Sequence, residues 1–287
     1  DLKLPNEIKK ILKFVYVTKK NYINKIIQNK KIKLITFTGS TEVGLKINNI
    51  KTKHFQKKIL ELGGINYAVI FDNKNLNNII DEIIIRKIKA AGQACSSINK
   101  VFVHKNIKNE FENLLKIKVS KLICGNINKK IQPDFGPVIS SRHYNFLKKL
   151  KKESLKLNRF IVQSQSNEDI ANLYPLMIME SNFNDNVFDK IETFGPLLGI
   201  SYFKNEKKLF EKISSSEYSL VCYFFSRNKK IINFTKTLNF GSIGINTTKI
   251  QSPGTPTGGN NLSGIGREGG IWGFEEFLST VNYVIKE

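Results

Sequence analysis

Cys95 is the residue whose surroundings most favour covalent chemistry. It lies in the stretch Gly-Gln-Ala-Cys-Ser, where small neighbours would let a substrate approach the sulfur atom. A structural thiol is the alternative, and such thiols more often lie among branched apolar side chains, as Cys222 does in SLVCYFFS. No motif supports a Cys–His pair at any histidine, whether His54, His104 or His143. The context of Cys95 alone therefore leaves both interpretations open.

Two glutamates lie beside glycine turns. Glu61 is flanked by Leu60 and Leu62 and precedes two glycines. Apolar surroundings raise the pKa of a carboxyl group, so such a glutamate can act as a general base near neutral pH. The alternative is a carboxylate that reaches solvent at a turn, which is commoner for an isolated glutamate. Glu192 precedes Thr-Phe-Gly-Pro, and a turn before a strand is enough to explain that segment.

A third motif, FTGSTEVG over residues 37–44, follows a predicted strand and opens a predicted helix. A glycine turn before a helix exposes N–H groups at the positive end of the helix dipole, where a phosphate can bind. An ordinary turn with Ser40 or Thr41 as the N-cap is the alternative, since a full G-x-G-x-x-G pattern is absent. Paired Cys or His spacings are also absent from the sequence, and we therefore expect no metal site.

The hydrophobic pattern predicts the scaffold that must position these residues. Short β-prone runs alternate with helical ones: LITFTG and STEVGLKI, YAVIFD and NNIIDEIIIRKIKAAG, KVFVH and EFENLLKIKVSKL, LLGISYF and KKLFEKI, SLVCYFFS and KKIINFTKTL, then GSIGIN. Strands separated by helical crossovers predict an α/β fold with a largely parallel sheet covered on both faces. The Gly- and Pro-rich segment 252–270 is the long irregular stretch, and such loops usually serve a function.

Composition limits the class of protein. With 287 residues, 40% of them apolar, the chain can bury a substantial core. The net charge of +22 suggests nucleic acid, but the lysines are scattered, so we expect no such partner and keep non-specific RNA binding as an alternative. Three cysteines cannot all pair, which favours a reducing compartment. Because no apolar run approaches the roughly 20 residues that span a bilayer, we expect a cytoplasmic protein with no membrane partner.

Together the motifs resemble the aldehyde dehydrogenase superfamily. FTGS, ELGG, GQAC and the E-T-FGP of residues 192–196 occur in the family's order and at similar separations. The GIN of residues 244–246 and the SGIGRE of residues 263–268 extend the similarity almost to the carboxyl end. The resemblance implies an α/β fold of the aldehyde dehydrogenase kind, with a parallel catalytic-domain sheet and the partial end of a Rossmann-like cofactor domain. It also implies an enzyme that oxidises aldehydes to carboxylic acids with NAD or NADP.

Residue roles follow from that resemblance. Cys95 would attack the aldehyde as a thiolate to give a thiohemiacetal, and after hydride transfer the thioester would be hydrolysed by water that Glu61 activates. Retention of Glu61 favours hydrolysis over transfer to coenzyme A. The implied cofactor contacts are Gly39 and Ser40 at the pyrophosphate, Val43 near the adenine, Gly44, the Leu62 backbone at the carboxamide, Glu192 at the nicotinamide ribose, and Phe194 against the cofactor. The implied substrate contacts are Ser96, Asn246 and Thr257.

The resemblance also implies a domain plan. Residues 1–62 would be a partial cofactor-binding domain, 63–262 the catalytic domain, and 263–287 a return to the cofactor domain with an oligomerisation strand. The closing FLSTVNYVI would pair with another subunit in a homodimer or homotetramer. Thr257 stands where relatives usually carry an aromatic residue, and Asn261 where lysine is common, so the identity of the aldehyde stays open.

A large amino-terminal part of the family's chains has no counterpart in these 287 residues. That part supplies most cofactor-domain strands, the lysine at the adenine ribose and the asparagine of the oxyanion hole. Since loss of one oxyanion donor costs roughly 10² to 10³ in turnover, we expect the chain to be almost inactive alone. The Asp at position 1 favours a fragment of a longer protein. The alternatives are completion by a second chain, or an inactive remnant that serves as a scaffold or binding protein.

Overall fold

Strands and helices alternate along most of the chain in the computed structural model, which describes residues 5–17, 20–72, 74–126, 132–166, 170–185 and 187–286. In chain order the helices are α1 (Asn6–Ile11), α2 (Lys20–Ile27), α3 (Thr41–Asn48), α4 (Leu76–Ile88), α5 (Lys108–Val119), α6 (Ser141–Leu155), α7 (Glu206–Ser214), α8 (Lys229–Thr235) and α9 (Gly270–Glu275). Among the helices of these ranges, none is both long and apolar enough to cross a membrane.

The strands fall into one large sheet and several small ones. In chain order they are β1 (Leu34–Thr38), β2 (Lys57–Glu61), β3 (Asn66–Ile70), β4 (Ile98–His104), β5 (Ile123–Cys124), β6 (Arg159–Gln163), β7 (Gln165–Ser166), β8 (Met177–Glu180), β9 (Leu197–Phe203), β10 (Tyr218–Ser219), β11 (Val221–Phe225), β12 (Ser242–Ile245), β13 (Asn260–Asn261) and β14 (Gly264–Ile265).

Seven strands form the large sheet, in the order β12-β11-β3-β4-β9-β8-β6. Every neighbouring pair is parallel except β6 and β8 at one edge. All residues of β3 and β11 are buried, which explains why both read as continuous apolar runs. The predicted α/β class with a largely parallel sheet is therefore confirmed. The antiparallel strand at one edge was not predicted.

Helices cover both faces of this sheet. On one face, α4 presents a stripe of buried residues spaced three and four apart, and α5 packs beside it through Phe111, Leu115 and Val119. On the other face, Leu209 and Ile213 of α7 and Ile231 of α8 pack into a second apolar core. Full burial of one such side chain contributes about 1.5 to 3 kcal/mol, so these stripes fix the helices on the sheet.

A separate three-stranded sheet has the order β1-β2-β14. Strands β1 and β2 are parallel, and β14 pairs antiparallel with β2 so that Gly264 lies opposite Glu61. The sequence predicts β1 but not β2, because KKILE alternates poorly and ends in an acid. The return of residues 264–265 brings the irregular segment of residues 252–270 against the end of β2.

The closing segment FLSTVNYVI does not form a strand with the described part of this chain. Tyr283, Val284 and Ile285 are each more than four-fifths exposed. A strand needs a neighbour for its backbone N–H and C=O groups, and the prediction assigned that neighbour to another subunit. Pairing of this segment with a second subunit stays a prediction.

Candidate active site

A reversal of the chain presents Cys95 at the amino-terminal end of β4, in the middle of the large sheet. Helix α4 ends at Ile88, and the next turn holds Ala90 and Ala91 at φ of 51° and 53°, followed by Gly92 at φ 76°. A Cβ on Gly92 would lie 2.5 Å from the carbonyl of Gly195, so glycine is required there. Two left-handed alanines cost on the order of 1 kcal/mol each or more, which marks the segment as strained.

Side chains from three elements hold the main chain at Cys95. Asn66 of β3 donates through Nδ2 to the carbonyls of Cys95 and Ser97, at 2.6 and 2.8 Å. The intervening carbonyl of Ser96 accepts from Arg86 Nε at 3.2 Å and from the Tyr223 hydroxyl at 2.9 Å. Three consecutive carbonyl groups are thereby fixed, and the direction of the Cys95 Cα–Cβ bond is fixed with them.

The Cys95 thiol is partly buried and lies among charged groups. Burial raises the pKa of this thiol, and the carboxyl groups of Glu61 and Glu192 raise it further. The Arg86 guanidinium and the N–H of Ser96 oppose both effects and lower the pKa. The sulfur is thus neither deep in packed side chains nor far from Glu61, and a neighbouring base is needed for it to react as a thiolate at neutral pH.

Glu61 ends β2 with its side chain enclosed, 5% exposed. Burial raises its pKa to about 7; Glu268 adds to the rise and Arg267 opposes it. Its Oε1 has no hydrogen-bond partner among the described residues, and a Cβ on Gly258 would lie 2.7 Å from this oxygen. Buried polar atoms usually have a hydrogen-bond partner, so we expect a water molecule or a ligand group at this oxygen.

Glu192 lies against the two glycines that follow Leu62. Gly64 donates its N–H to Glu192 Oε1 at 3.1 Å, and a side chain on Gly63 would collide with Oε2. Burial raises the pKa of Glu192 to about 7, against the opposing effects of the Gly64 N–H and Lys87. Glycine at position 63 is what allows this carboxyl group to reach the end of β2, whereas a Cβ on Gly64 would meet Asn66 and Leu220.

Lys87, a buried residue that the motifs did not identify, supports the Glu192 segment. Its Nζ donates to Thr193 Oγ1 at 3.2 Å, and burial lowers its pKa to about 7 while Glu192 opposes the shift. A signal was present, since Lys87 falls on the same three-and-four spacing as Ile80, Ile83 and Ile84 on α4. A lysine inside an apolar stripe indicates a buried partner. Arg86 and Asn66 carried no comparable signal.

The turn between β1 and α3 is exposed and begins a helix of eight residues. Ser40 is the N-cap, and its Oγ accepts from the Val43 N–H at 3.4 Å. This contact is the one expected if the segment is an ordinary turn before a helix. Gly44 is buried, and a Cβ there would collide with Leu62. The Gly39-Ser40 end of the helix faces solvent, and Gly44 lets the helix pack closely against Leu62. This arrangement fits a phosphate at the start of the helix.

Leu62 and Phe194 occupy positions consistent with cofactor contacts. The Leu62 N–H already donates to the Ser263 carbonyl at 3.1 Å, so its backbone would contact a bound group through its carbonyl oxygen. Phe194 has φ 43° and a partly exposed ring. Its carbonyl lies 2.7 Å from His143 Nε2, and the two rings meet edge to face at 6.1 Å.

The three residues predicted to contact substrate differ in placement. Thr257 exchanges backbone hydrogen bonds of 2.6 and 2.7 Å with Glu268, and it precedes Gly258, which lies against Glu61. The Ser96 hydroxyl is bonded to Arg86 and buried, 4% exposed, so the structure does not turn it toward a substrate. A contact of Ser96 with substrate stays a prediction.

Asn246 is not brought to the Cys95 region. Its side chain is bonded to both backbone groups of Ser226, at 2.9 and 3.0 Å. Asn246 follows the carboxyl end of β12, whereas Cys95 precedes the amino end of β4, and parallel strands β11 and β3 connect the two. The two residues therefore lie at opposite ends of the parallel strands, and the side chain of Asn246 fixes a turn there; its contact with substrate stays a prediction. No group of three metal-ligating side chains occurs within the described ranges.

Comparison with known proteins agrees with this geometry. Residues 3–282 match the model of the aldehyde dehydrogenase family, and the chain belongs to that family. It is 30% identical over 259 residues to the NADP(+) succinate-semialdehyde dehydrogenase of Escherichia coli, covering 89% of this chain and 53% of that protein. It is also 30% identical over 267 residues to the lactaldehyde dehydrogenase of Methanocaldococcus jannaschii, covering 92% and 56%.

Solved structures give the same result. An oxidoreductase from Marinobacter aquaeolei superposes with a TM-score of 0.82 at 31% identity, over 91% of this chain and 55% of that one. A betaine aldehyde dehydrogenase of Staphylococcus aureus in complex with NAD+ gives 0.80 at 27% identity, over 89% and 52%. The aldehyde dehydrogenase fold is confirmed, and the chain spans about half the length of the curated relatives it matches.

Proposed function

We propose that this chain carries the reacting residues of an enzyme that oxidises an aldehyde to a carboxylic acid with NAD or NADP. The observation that carries the proposal is the pairing of a partly buried Cys95 thiol with Glu61, a carboxyl group whose pKa is about 7 and whose Oε1 has no partner among the described residues. A nucleophile and a general base in one enclosed region are what formation and hydrolysis of a thioester require.

The chemistry of this chain's residues follows from that pairing. The Cys95 thiol releases its proton to solvent, and the thiolate adds to the aldehyde carbon to form a thiohemiacetal whose oxygen carries the negative charge. NAD or NADP, when bound, supplies the hydride acceptor that makes the overall reaction an oxidation. Glu61 removes a proton from water, and the resulting hydroxide attacks the thioester carbon. The carboxylic acid then leaves, and the proton restores the Cys95 thiol.

Three groups of residues would hold the cofactor. The exposed Gly39-Ser40 turn would receive its phosphates, and Val43, 40% exposed beside buried Gly44, offers an apolar surface for the adenine. Glu192, Phe194 and the Leu62 carbonyl would meet the nicotinamide end, on the side where Cys95 lies. One named relative uses NADP(+) and one solved structure holds NAD+, so both cofactors stay open for this chain.

The activity belongs to a protein longer than the part described above. Because the relatives are about twice as long, we propose that an amino-terminal part completes the cofactor domain, within one chain or as a second one. The aldehyde, the cytoplasmic location and assembly as a homodimer or homotetramer belong to the same proposal. Thr257 borders the enclosed region near Glu61 and is the residue of this chain through which substrate choice would act.

Substitution of Cys95 tests the proposed function. In the complete protein, we expect Cys95→Ala to abolish aldehyde-dependent reduction of NAD or NADP, by a factor on the order of 10³, because the substitution removes the sulfur that forms the adduct. Cys124→Ser is the matched control, since Cys124 is buried in the core and its Sγ is 3.4 Å from the Tyr174 carbonyl. Equal turnover in Cys95→Ala and the parent protein would exclude the proposed function.

A further inference from the structure

Arg86 is held beside the nucleophile segment by contacts that the mechanism above does not use. Its Nε donates to the Ser96 carbonyl at 3.2 Å and lies 3.1 Å from the Tyr223 hydroxyl oxygen. Its Nη2 is bonded to Ser96 Oγ. Tyr223, fully buried in β11, also donates its hydroxyl to the Ser96 carbonyl at 2.9 Å. The guanidinium is thus fixed from two sides, next to the residue that follows Cys95.

Charged groups from three elements influence the pKa of the Cys95 thiol. Glu61 comes from the end of β2, Glu192 from the turn before β9, and Arg86 from α4; the N–H of Ser96 completes the set. Both glutamates change charge near pH 7, because each has a pKa of about 7. Arginine keeps its charge at every physiological pH. Arg86 is therefore the permanent positive charge among the groups that act on this thiol.

We propose that Arg86 is a positioning residue for the nucleophile, held by Ser96 and Tyr223 as the cation that stabilises the Cys95 thiolate. The inference rests on the proposed function, in which Cys95 is the nucleophile. Arg86 and Tyr223, which lie outside the motifs, thereby gain a role. The bond between the Ser96 hydroxyl and Arg86 is explained as one of the contacts that hold the cation. Opposite charge near a thiol favours the thiolate, whereas the two neighbouring carboxylates disfavour it.

The test is the pH dependence of Cys95 alkylation in the 287-residue chain. Iodoacetamide is uncharged, so its approach does not depend on the charge of the variant. Cys124 and Cys222 are buried in the folded chain, and Cys95→Ser identifies the labelled position. We expect Arg86→Met to move the pH midpoint of the alkylation rate upward, and to slow alkylation near neutral pH by roughly threefold or more, because a smaller fraction is thiolate.

Two further variants separate charge from folding. Arg86→Lys keeps the charge on a side chain of similar length, and we expect its pH midpoint to stay close to that of the parent chain. Arg227→Met is the matched control. Arg227 is exposed and follows the carboxyl end of β11, at the end of the parallel strands opposite to Cys95. This variant should leave the pH profile of alkylation unchanged. If Arg86→Met loses cooperative unfolding, Arg86→Gln replaces it, because glutamine removes the charge and retains a donor for the Ser96 carbonyl.

Each outcome decides between named alternatives. The assignment would be overturned if the pH profile of alkylation in Arg86→Met or Arg86→Gln superposed on that of the parent chain. It would also be overturned if Arg86→Lys moved the pH midpoint as far as Arg86→Met does. Failure of the proposed function gives a different result, since the parent chain would then show no labelling that Cys95→Ser removes.

Discussion

At the scale of single residues, the account depends on two side chains whose immediate neighbours made a chemical role possible without deciding it. Small residues around Cys95 and leucines around Glu61 were visible in the sequence, and the structure gives the expected consequences, a reachable thiol and a carboxyl group with a pKa of about 7. Arg86 could not be found in this way. Its role depends on where β11 places Tyr223, 137 residues further along the chain.

Titration of Glu61 makes stability depend on pH. The folded chain binds a proton on Glu61 up to about pH 7, whereas the unfolded chain releases it near the usual value of 4.5. The stabilising contribution of protonated Glu61 is therefore complete below about pH 4.5 and is lost as the pH rises through about 7. We expect Glu61→Gln to gain stability relative to the parent chain over this range, by about 1 to 2 kcal/mol after allowance for solvent screening.

Urea unfolding of both chains across that pH range measures the difference in free energy of unfolding. Glu211→Gln, an exposed glutamate on α7, is the control and should leave the pH dependence of stability unchanged. A constant difference between Glu61→Gln and the parent chain at every pH would contradict the raised pKa of Glu61.

At the scale of elements, the connection from α4 to β4 decides where the sulfur lies. The sequence predicts both elements, since the apolar spacing of α4 and the KVFVH run are strong local signals. It does not predict the reversal between them. Alanine disfavours the left-handed region, so two successive alanines there are a tertiary effect, imposed by the packing of α4 and by the close approach of Gly92 to Gly195.

This strain predicts that glycine at position 90 gives a more stable folded chain than alanine does. Ala90 is exposed and has φ 51°, so Ala90→Gly loses little packing and relieves a left-handed alanine. We expect a gain of about 0.5 to 1 kcal/mol in the free energy of unfolding, measured with urea. Ala94→Gly is the matched control, because Ala94 is outside the left-handed region and should lose stability. Destabilisation of equal size in both variants would contradict the observed backbone.

Other elements escaped prediction for a related reason. The edge strand β6 and the short strand β2 are set by their partners, and neither RFIVQ nor KKILE has a strong pattern of its own. The same limit applies to Asn246: it is the last residue of GIN and was clear in the sequence, but the end of the strands at which it lies depends on the parallel pairing of four strands.

At the scale of the whole molecule, two sheets meet at the reacting residues. Glu61 ends the three-stranded sheet, Cys95 precedes a central strand of the seven-stranded sheet, and β14 returns to hold residues 258–268 against Glu61. This arrangement lies within about half the length of the family's chains. The chain therefore contains both the proposed nucleophile and the proposed base, whereas we propose that the remainder of the cofactor domain comes from an amino-terminal part.

The most direct test of the account is to trap the intermediate in the complete protein. With Glu61→Gln, an aldehyde and NAD or NADP, thioester hydrolysis should slow by roughly 10² to 10⁴, and intact-protein mass spectrometry should show one added acyl group. Peptide mapping should locate that group on Cys95, and Cys95→Ala in the same background should remain unmodified. An unmodified Glu61→Gln protein that has nevertheless reduced the cofactor, or an acyl group on another residue, would contradict the account.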